Sequence, residues 1–404
     1  MRDFRLLWLG ETVSLVGSSV GSVALTLVAA VTLHSDAFVV GVLNGAYWLP
    51  WLVIGLPAGA WIDRLGRHRQ VMMACDALSL VVFLSVPVAA WGGVLTAAQL
   101  VVVAVVAGCA KVFFTIAYRA FVPSLVPDDA LMTANAKLQG SESSAQIVGP
   151  GLAGLLAQLA EATTGMLVDA VSFAVSWLCL ERMRDRRVPP VPRRRLRTDI
   201  ADGLKFIAYD PVLRALVCFG AVSNLALTGF NSVGVVYLVR DAGASPGLVG
   251  LVYTFAGVGG VIGSVVARRL ACQVGSARAV LVCQAVALPS MLLAPMGGVG
   301  LFAVAVFACG MGVTASNVIQ GTFRQRYCPP ELFGRITAAS SVINYGTIPL
   351  GAVVGGLLGD GVGLGTALWV MAGVAAGSVL ILVAGRLWLM REFPARRWTS
   401  PALP

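Results

Sequence analysis

Five ionisable side chains stand inside long apolar runs of the sequence: Glu11, Asp76, Lys111, Glu142 and Asp169. A charged group in an apolar environment is costly, so such residues usually face a cavity, a counter-charge or a hydrogen-bonding partner. Each of the four carboxyls is therefore a candidate for binding and releasing a proton. The alternative for each is a structural role, as a hydrogen-bonding or helix-end group.

Lys111 is the deepest of these charges. If its run begins at residue 98 and is helical, a rise of about 1.5 Å per residue places Lys111 about 20 Å along the helix. That is past the midpoint of a hydrocarbon core about 30 Å thick. We expect Lys111 to face a cavity or a carboxylate; the alternative is that its side chain reaches along the helix to the polar boundary.

Uncharged amides occur in the apolar runs of the second half of the chain. If they face inward they could hydrogen-bond a ligand, and if they face a neighbouring helix they join the two helices. Both interpretations stand for these candidates: Asn224, Asn231, Asn317, Gln320 and Asn344.

No pattern of a hydrolase, redox or metal centre accompanies these residues. The eight cysteines form no C-x-x-C pair, only His34 and His68 are available as histidine ligands, and no G-x-x-x-x-G-K-[ST] loop is present. The sequence predicts a chain that is not an enzyme and that has no metal, cofactor or nucleic-acid partner. Its energy source is then an ion gradient, a substrate gradient or a separate partner, and we expect a proton gradient.

The bulk composition identifies the elements that carry these residues. The chain has 404 residues, of which 58% are hydrophobic and 12% charged, with a mean hydropathy of +0.85. Soluble domains have about 25% charged residues. The sequence therefore predicts an all-α protein that crosses the lipid bilayer many times.

Twelve apolar runs are long enough to be spans, and an arginine-rich stretch separates the sixth from the seventh. The predicted spans are 6–33, 38–61, 71–91, 98–121, 138–159, 165–180, 212–239, 247–267, 279–295, 299–323, 338–358 and 363–388. This pattern predicts an N-terminal six-helix bundle at 1–181, a basic linker at 182–211, a C-terminal six-helix bundle at 212–390 and a tail at 391–404. Similar segments about 200 residues apart, such as 149–154 and 349–356, indicate two pseudo-symmetric halves.

The basic residues predict the orientation. Apart from Lys111 and Arg240, all of the 29 lysines and arginines fall in the termini, in the even-numbered loops or at adjacent span ends. By the positive-inside rule these segments are cytoplasmic, and so are both termini. The strong preference for arginine over lysine indicates a GC-rich bacterial genome, and hence a bacterial inner membrane.

The loop after the second span carries a dense charge pattern between glycines. Its spacing, G-x-x-x-D-R-x-G-R-x-R, resembles the loop between the second and third helices of the major facilitator superfamily. The resemblance assigns this loop to the cytoplasmic gate, with Gly66 permitting the turn; an ordinary positive-inside loop is the alternative. The matching residues are Gly59, Asp63, Arg64, Gly66, Arg67 and Arg69.

A second motif lies in the fifth span at Gly149, Pro150 and Gly154. It resembles the G-P-x-x-G-G element of the drug:proton antiporter branch of that superfamily, with Ala153 replacing one glycine. The alternative interpretation is a packing groove with no bearing on direction. Further segments are similar to the branch that contains bacterial macrolide and enterobactin exporters: 4–10, 122–127, 134–136, 167–173, 210–214 and 334–336.

The resemblance implies the major facilitator fold and a secondary transporter that works as a monomer. It implies export of an amphipathic small molecule, such as an antibiotic, drug or siderophore, by proton antiport with alternating access. It also implies that the Asp63 loop docks against the opposite bundle in the outward-facing state. A proton-coupled importer on the same fold and a non-transporting membrane receptor remain as alternatives.

Overall fold

The computed structural model describes residues 2–55, 58, 61–62, 65–127, 131–184, 196–328 and 330–394. The described part is helical and contains no β-strand. The helices of the first half are α1 (Arg2–Leu27), α2 (Ala37–Val53), α3 (His68–Trp91), α4 (Ala97–Phe121), α5 (Leu131–Leu159) and α6 (Ala162–Glu181). Those that follow are α7 (Leu196–Tyr209), α8 (Pro211–Arg240), α9 (Pro246–Val274), α10 (Ser276–Ser290), α11 (Val299–Tyr327), α12 (Pro330–Val362) and α13 (Leu364–Ala384).

Helices occupy all twelve predicted spans, as α1–α6 and α8–α13. Among the described residues, ten helices are long and apolar enough to cross a membrane. The other two are α2, with 17 residues, and α5, with 29. The prediction of an all-α membrane protein with about twelve spans is confirmed.

Local sequence explains several helix ends. The side chain of Thr96 accepts a hydrogen bond from the backbone N–H of Gln99 at 3.3 Å, which caps the start of α4. Asp210 does the same for α8, where its Oδ1 accepts from the backbone N–H groups of Val212 and Leu213 at 3.0 and 2.8 Å. Pro211 occupies the first helical position, where its missing N–H has no cost.

The predicted linker contains a helix that the sequence analysis did not foresee. Residues 196–209 form α7, and Ile207 on this helix is buried. Burial of a side chain on this segment means that α7 packs against the protein and is not a plain tether. The preceding residues, 185–195, lie outside the described part of the chain.

The chain divides into two compact units. The first unit contains Met1–Arg193, Thr228–Thr254 and Ile348–Ala367, and the second contains Arg194–Leu227, Phe255–Thr347 and Leu368–Pro404. The first unit therefore includes ends of α8, α9, α12 and α13 in addition to the helices of the first half. The predicted boundary between two six-helix bundles stays a prediction.

In the first unit α1 packs against both α5 and α6, while α3 packs against α4 and α6, and α2 against α4. The small residues of α1 make the closest approaches. A β-carbon on Gly21 would lie 2.0 Å from Oδ2 of Asp169 on α6, so only glycine fits there. The small residues at 17–22 thus allow α1 to pack closely against α6.

At one end of the first unit, polar contacts join the loop 33–36 and the start of α2 to the ends of α8 and α12. We call this end of the first unit the predicted outer end, because the loop 33–36 follows the first span and the predicted orientation places the odd-numbered loops outside. Arg240 of α8 donates hydrogen bonds to the backbone carbonyls of His34 and Ser35 at 2.8 and 2.5 Å. Asp360 of α12 accepts from the backbone N–H groups of Ala37 and Phe38 at 3.0 and 3.1 Å, at the start of α2.

Arg240 also lies 3.6 Å from the Asp36 carboxylate. Asp360 places a negative charge at the N-terminus of α2, where the helix dipole and the unpaired N–H groups favour one. His34 adopts a positive φ of 48°, which non-glycine residues rarely do. We call Arg240 and Asp360, with the loop 33–36 and the start of α2 that they contact, the outer clamp.

Candidate functional site

Three of the predicted charges meet at one cavity inside the first unit. The cavity has a volume of about 270 Å³ and is lined by Asp76 of α3, Lys111 of α4 and Asp169 of α6. Hydroxyl groups of α1, Asn44 and Tyr47 of α2, and several aromatic rings complete its wall. We call it the charged cavity.

Asp169 is held in place by α1 and by its own helix. Its side chain is 1% exposed, and Ser172 donates a hydrogen bond to its backbone carbonyl at 2.7 Å and to its Oδ1 at 3.3 Å. Ser18 of α1 also hydrogen-bonds its side chain. These contacts fix the orientation of the carboxyl at the edge of the cavity.

Asp76 and Lys111 face the same space. Asp76 is 1% exposed; its side chain hydrogen-bonds Ser176, while its Oδ2 has no hydrogen-bond partner among the described residues. The Lys111 ammonium lies 6.0 Å from the centre of the Phe114 ring and within electrostatic range of Asp76 and Asp169. Lys111 thus lies near enough to both cavity carboxyls to act as their shared counter-charge.

The remaining two predicted carboxyls, Glu11 and Glu142, differ in burial. Glu11 of α1 is buried within electrostatic range of Lys111, and in the described part of the chain its Oε2 accepts no hydrogen bond. Glu142 of α5 is exposed in the structure, although it was expected to be partly buried inside the span. It follows Ser141, which is buried and hydrogen-bonds Trp8 and Thr12 of α1.

A second cavity adjoins the charged one, and we call it the neutral cavity. It has a volume of about 320 Å³ and shares Ser22, Asn44 and Trp48 with the charged cavity. Asn231 of α8 and Tyr253 of α9 belong to its wall. Of the five predicted amides, only Asn231 lines one of these two cavities.

The other four amides lie in the second unit. Asn344 donates to the backbone carbonyl of Ser340 at 2.9 Å, and Gln320 to the Ser316 hydroxyl at 2.8 Å, so both make bonds within their own helices. Asn317 is exposed and Asn224 is partly buried. Their predicted role toward a ligand stays a prediction.

Sequence reasoning did not select three residues of the two cavities: Asn44, Tyr47 and Tyr253. Asn44 could have been found, since it is an amide inside an apolar span, the same signal that selected Asn231. The two tyrosines carry no such signal, because a tyrosine in a membrane helix is as often a packing or interfacial residue. Only tertiary structure brings them to a cavity.

Half of the gate loop is described. Gly66 has a positive φ of 57° in the short turn before α3, and Arg67 beside it is exposed. Arg69 donates to the backbone carbonyls of Leu180 and Glu181 at 2.7 and 2.8 Å and so satisfies the C-terminal end of α6. Gly59, Asp63 and Arg64 lie outside the described residues.

The motif in α5 makes two close helix contacts. A β-carbon on Gly149 would lie 2.2 Å from the Ser19 hydroxyl of α1. One on Gly154 would lie 2.5 Å from the Pro246 carbonyl, and Gly250 of α9 approaches the Pro150 carbonyl in the same way. The glycines therefore let α5 contact α1 on one face and α9 on another, and side chains larger than hydrogen do not fit.

With both carboxyls ionised and one lysine, the charged cavity would carry an excess of negative charge, which a proton or a cationic ligand would neutralise. Among the described residues no group of three or more histidine, cysteine, aspartate or glutamate side chains is placed to hold a metal ion.

Curated relatives of this chain include bacterial efflux proteins. The multidrug efflux pump Tap of Mycolicibacterium fortuitum is 29% identical over 329 residues, covering 78% of this chain and 79% of the relative. Macrolide efflux protein A of Streptococcus pyogenes is 22% identical over 402 residues, covering 94% of each chain.

Solved structures share the fold. A point mutant of the nucleoside transporter NupG superposes with a TM-score of 0.78 at 12% identity over 95% of this chain and 99% of that one. A bacterial homologue of the iron transporter ferroportin, in an inward-facing state, gives a TM-score of 0.74 at 18% identity over 95% and 98%. The sequence profile of the Major Facilitator Superfamily matches residues 7–345 and, in an overlapping second match, 216–403. This chain is a multi-pass membrane transporter and belongs to the major facilitator superfamily.

Proposed function

We propose that this transporter exports amphipathic organic compounds, of the antibiotic, drug or siderophore class, in exchange for protons. The observation that carries the proposal is the charged cavity, in which Asp76, Asp169 and Lys111 share one buried space. Its aromatic and hydroxyl-bearing walls suit a ligand with both apolar and polar surface. The negative excess favours a ligand that also carries a positive charge.

The same charges support an exchange mechanism. A cavity that reorients while carrying uncompensated charge has a high energy in a low-dielectric surrounding. Protons on the carboxyls remove this excess, and so does a cationic substrate. Because both neutralise the same groups, loading one displaces the other, and the two travel in opposite directions. We assign the exchanging proton to Asp169, with Asp76 as its partner.

The outer clamp supports alternating access. For substrate to leave on the outer side, the hydrogen bonds from Arg240 and to Asp360 have to break, and they re-form when that side closes. The loop with Asp63, Arg64 and Arg67 is the proposed cytoplasmic gate. We propose that it docks against the other half when the outer side is open.

The direction of transport rests on two lines of support. Relatives over most of the chain length are named efflux proteins, and α5 carries the antiporter-type element with Gly149, Pro150 and Gly154. Close packing of α5 on α1 and α9 is compatible with this role. Export is accordingly the direction that we propose.

The proposal also covers the cellular location of the protein and the arrangement of its two halves. The chain functions as a monomer in the bacterial inner membrane, with both termini and the basic linker in the cytoplasm. Its two six-helix halves span 1–181 and 212–390. The distribution of lysine and arginine supports this orientation.

An efflux assay tests the proposal. Cells that express the transporter and are preloaded with a fluorescent cationic dye should lose dye faster than control cells, and an uncoupler that collapses the proton gradient should abolish the difference. Asp169→Asn removes the exchanging proton site and should reduce energised efflux at least tenfold, with normal insertion in the membrane. The matched control Asp241→Asn, on an exposed loop residue, should retain wild-type efflux; an active Asp169→Asn variant would refute the assignment.

A further inference from the structure

The neutral cavity has a wall of hydrogen-bonding groups without charge. Seven of its lining side chains carry a hydroxyl or amide group: Ser22, Thr26, Asn44, Thr228, Asn231, Ser232 and Tyr253. Among the described residues that line it, none is charged at neutral pH. This chemistry differs from that of the charged cavity, although the two spaces are contiguous through Ser22, Asn44 and Trp48.

Some of these groups already have partners within the protein. The Ser22 and Thr26 hydroxyls donate to backbone carbonyls one turn earlier on α1, at 3.0 and 3.2 Å. The Asn44 amide reaches the Ser232 hydroxyl only at 3.4 Å, which is a long hydrogen bond. The local groups of α1 are thus satisfied, while the contact from α2 to α8 is weak.

Tyr253 is the exception. Its hydroxyl oxygen is buried and has no hydrogen-bond partner among the described residues. A buried hydroxyl without a partner is uncommon in folded proteins, because it has lost its hydrogen bonds to water and gained none. Since the residue lines a cavity large enough for part of an organic molecule, a bound ligand can supply the missing partner.

We infer that the neutral cavity is a subsite for the hydroxyl- or carbonyl-bearing part of the substrate, and that Tyr253 determines specificity there. The inference rests on the proposed function. The inference extends that function by dividing the ligand into two parts: a cationic group in the charged cavity and an uncharged, oxygen-rich group against Tyr253 and Asn231. The preferred substrates are then amphipathic cations with hydroxyl groups, such as glycosylated amines.

The first test needs no ligand. Tyr253→Phe removes the hydroxyl and keeps the ring, so the purified unliganded variant should melt at the wild-type temperature or above it, because a buried group without a partner is lost. Tyr209→Phe, at an exposed position on α7, is the matched control and should melt as wild type does. A clear decrease for Tyr253→Phe alone would show that the hydroxyl has a structural partner, and would overturn the inference.

The second test compares two ligands with the full-length protein in detergent. Erythromycin carries an amine and several hydroxyl groups on its sugars and lactone ring, whereas ethidium is a flat cation without hydroxyls. Tyr253→Phe should weaken erythromycin binding about three- to tenfold, the effect of one lost hydrogen bond, and leave ethidium binding within about twofold. Tyr209→Phe should change neither affinity.

The outcomes separate this inference from the function on which it rests. In one outcome the wild type binds both compounds, and Tyr253→Phe changes both affinities equally or changes neither. That outcome would overturn the subsite and leave drug binding intact. Absence of wild-type binding to either compound would overturn the proposed substrate class, and the subsite with it.

Discussion

Lys111 is the residue on which the electrostatics of the site depend. It lines the charged cavity with Asp76 and Asp169 and lies within electrostatic range of the buried Glu11. A buried charge that loses its counter-charge destabilises the fold far more than loss of the whole pair does. The lysine therefore both stabilises the ionised carboxyls and sets how much charge a proton or substrate has to neutralise.

This account predicts a specific pattern in a double-mutant cycle. Lys111→Gln should lower the melting temperature by several degrees and abolish coupled efflux, because the carboxylates lose their counter-charge. Adding Asp169→Asn should restore much of the thermal stability without restoring transport, with an interaction energy of about 0.5–3 kcal/mol between the two sites. Additive losses of stability, measured by thermal denaturation in detergent, would show that Lys111 does not compensate Asp169.

At the scale of elements, the outer clamp joins helices that are distant in sequence. The start of α2 contacts the end of α12 through Asp360, and the loop before α2 contacts the end of α8 through Arg240. Asp360 accepts from backbone N–H groups at the start of α2, while Arg240 donates to backbone carbonyls of the loop and also lies near the Asp36 carboxylate. These contacts are few and polar, which allows them to separate and re-form.

The clamp variants should change access to the cavity from outside. In a cysteine-free background, Asn44→Cys reports on the cavity wall through its reaction with a membrane-impermeant maleimide added to the outer side. Asp360→Asn and Arg240→Gln should each increase the labelling rate several-fold, because the closed state loses contacts. Asp241→Asn, adjacent to Arg240 but outside the clamp, should label at the wild-type rate, and unchanged labelling in the clamp variants would mean that the clamp does not control opening.

Sequence patterns at the scale of elements predicted the helices well, for a physical reason. A span needs about twenty apolar residues whatever its neighbours are, so the runs could be read directly. Helix α7 was missed because its apolar residues at 196, 200, 204 and 207 follow an arginine- and proline-rich stretch and were assigned to the same polar linker. Their helical spacing was the available signal.

The segment 210–214, one of those that resemble the exporter branch in sequence, forms specific hydrogen bonds in the structure. Asp210 caps α8, Pro211 begins it, and the Arg214 guanidinium donates to the backbone carbonyl of Ala208 at 3.0 Å. Asp210 also accepts a hydrogen bond from the Tyr327 hydroxyl. Burial, and next the adjacent Asp210, raise the pKa of Tyr327, so the phenol stays protonated as the donor. The motif forms the junction of α7, α8 and the end of α11.

Sequence reasoning could nominate the site but not assemble it. The cost of burying a charge singled out Asp76, Lys111 and Asp169 as residues that need partners. Only the packing of α1, α3, α4 and α6 shows that they line one cavity. Whether a residue inside a predicted span is buried depends on the side of the helix that it occupies. Glu142 lies far enough inside its predicted span to be selected, but the structure exposes its side chain.

At the scale of the whole molecule, the central claim is that substrate and protons compete for the same carboxyls. The direct measurement is proton release from the purified full-length protein in weakly buffered detergent solution, as candidate drugs and siderophores are added. Glu142→Gln and Asp169→Asn are measured in parallel. Asp169 is buried in the cavity and Glu142 is not, so the two variants discriminate between an internal and a peripheral proton site.

The account predicts that at least one compound releases protons from wild type, that Asp169→Asn abolishes the release, and that Glu142→Gln retains it. Binding of a compound without any proton release would contradict the competition between substrate and proton. It would leave a major facilitator that works by uniport or with another ion.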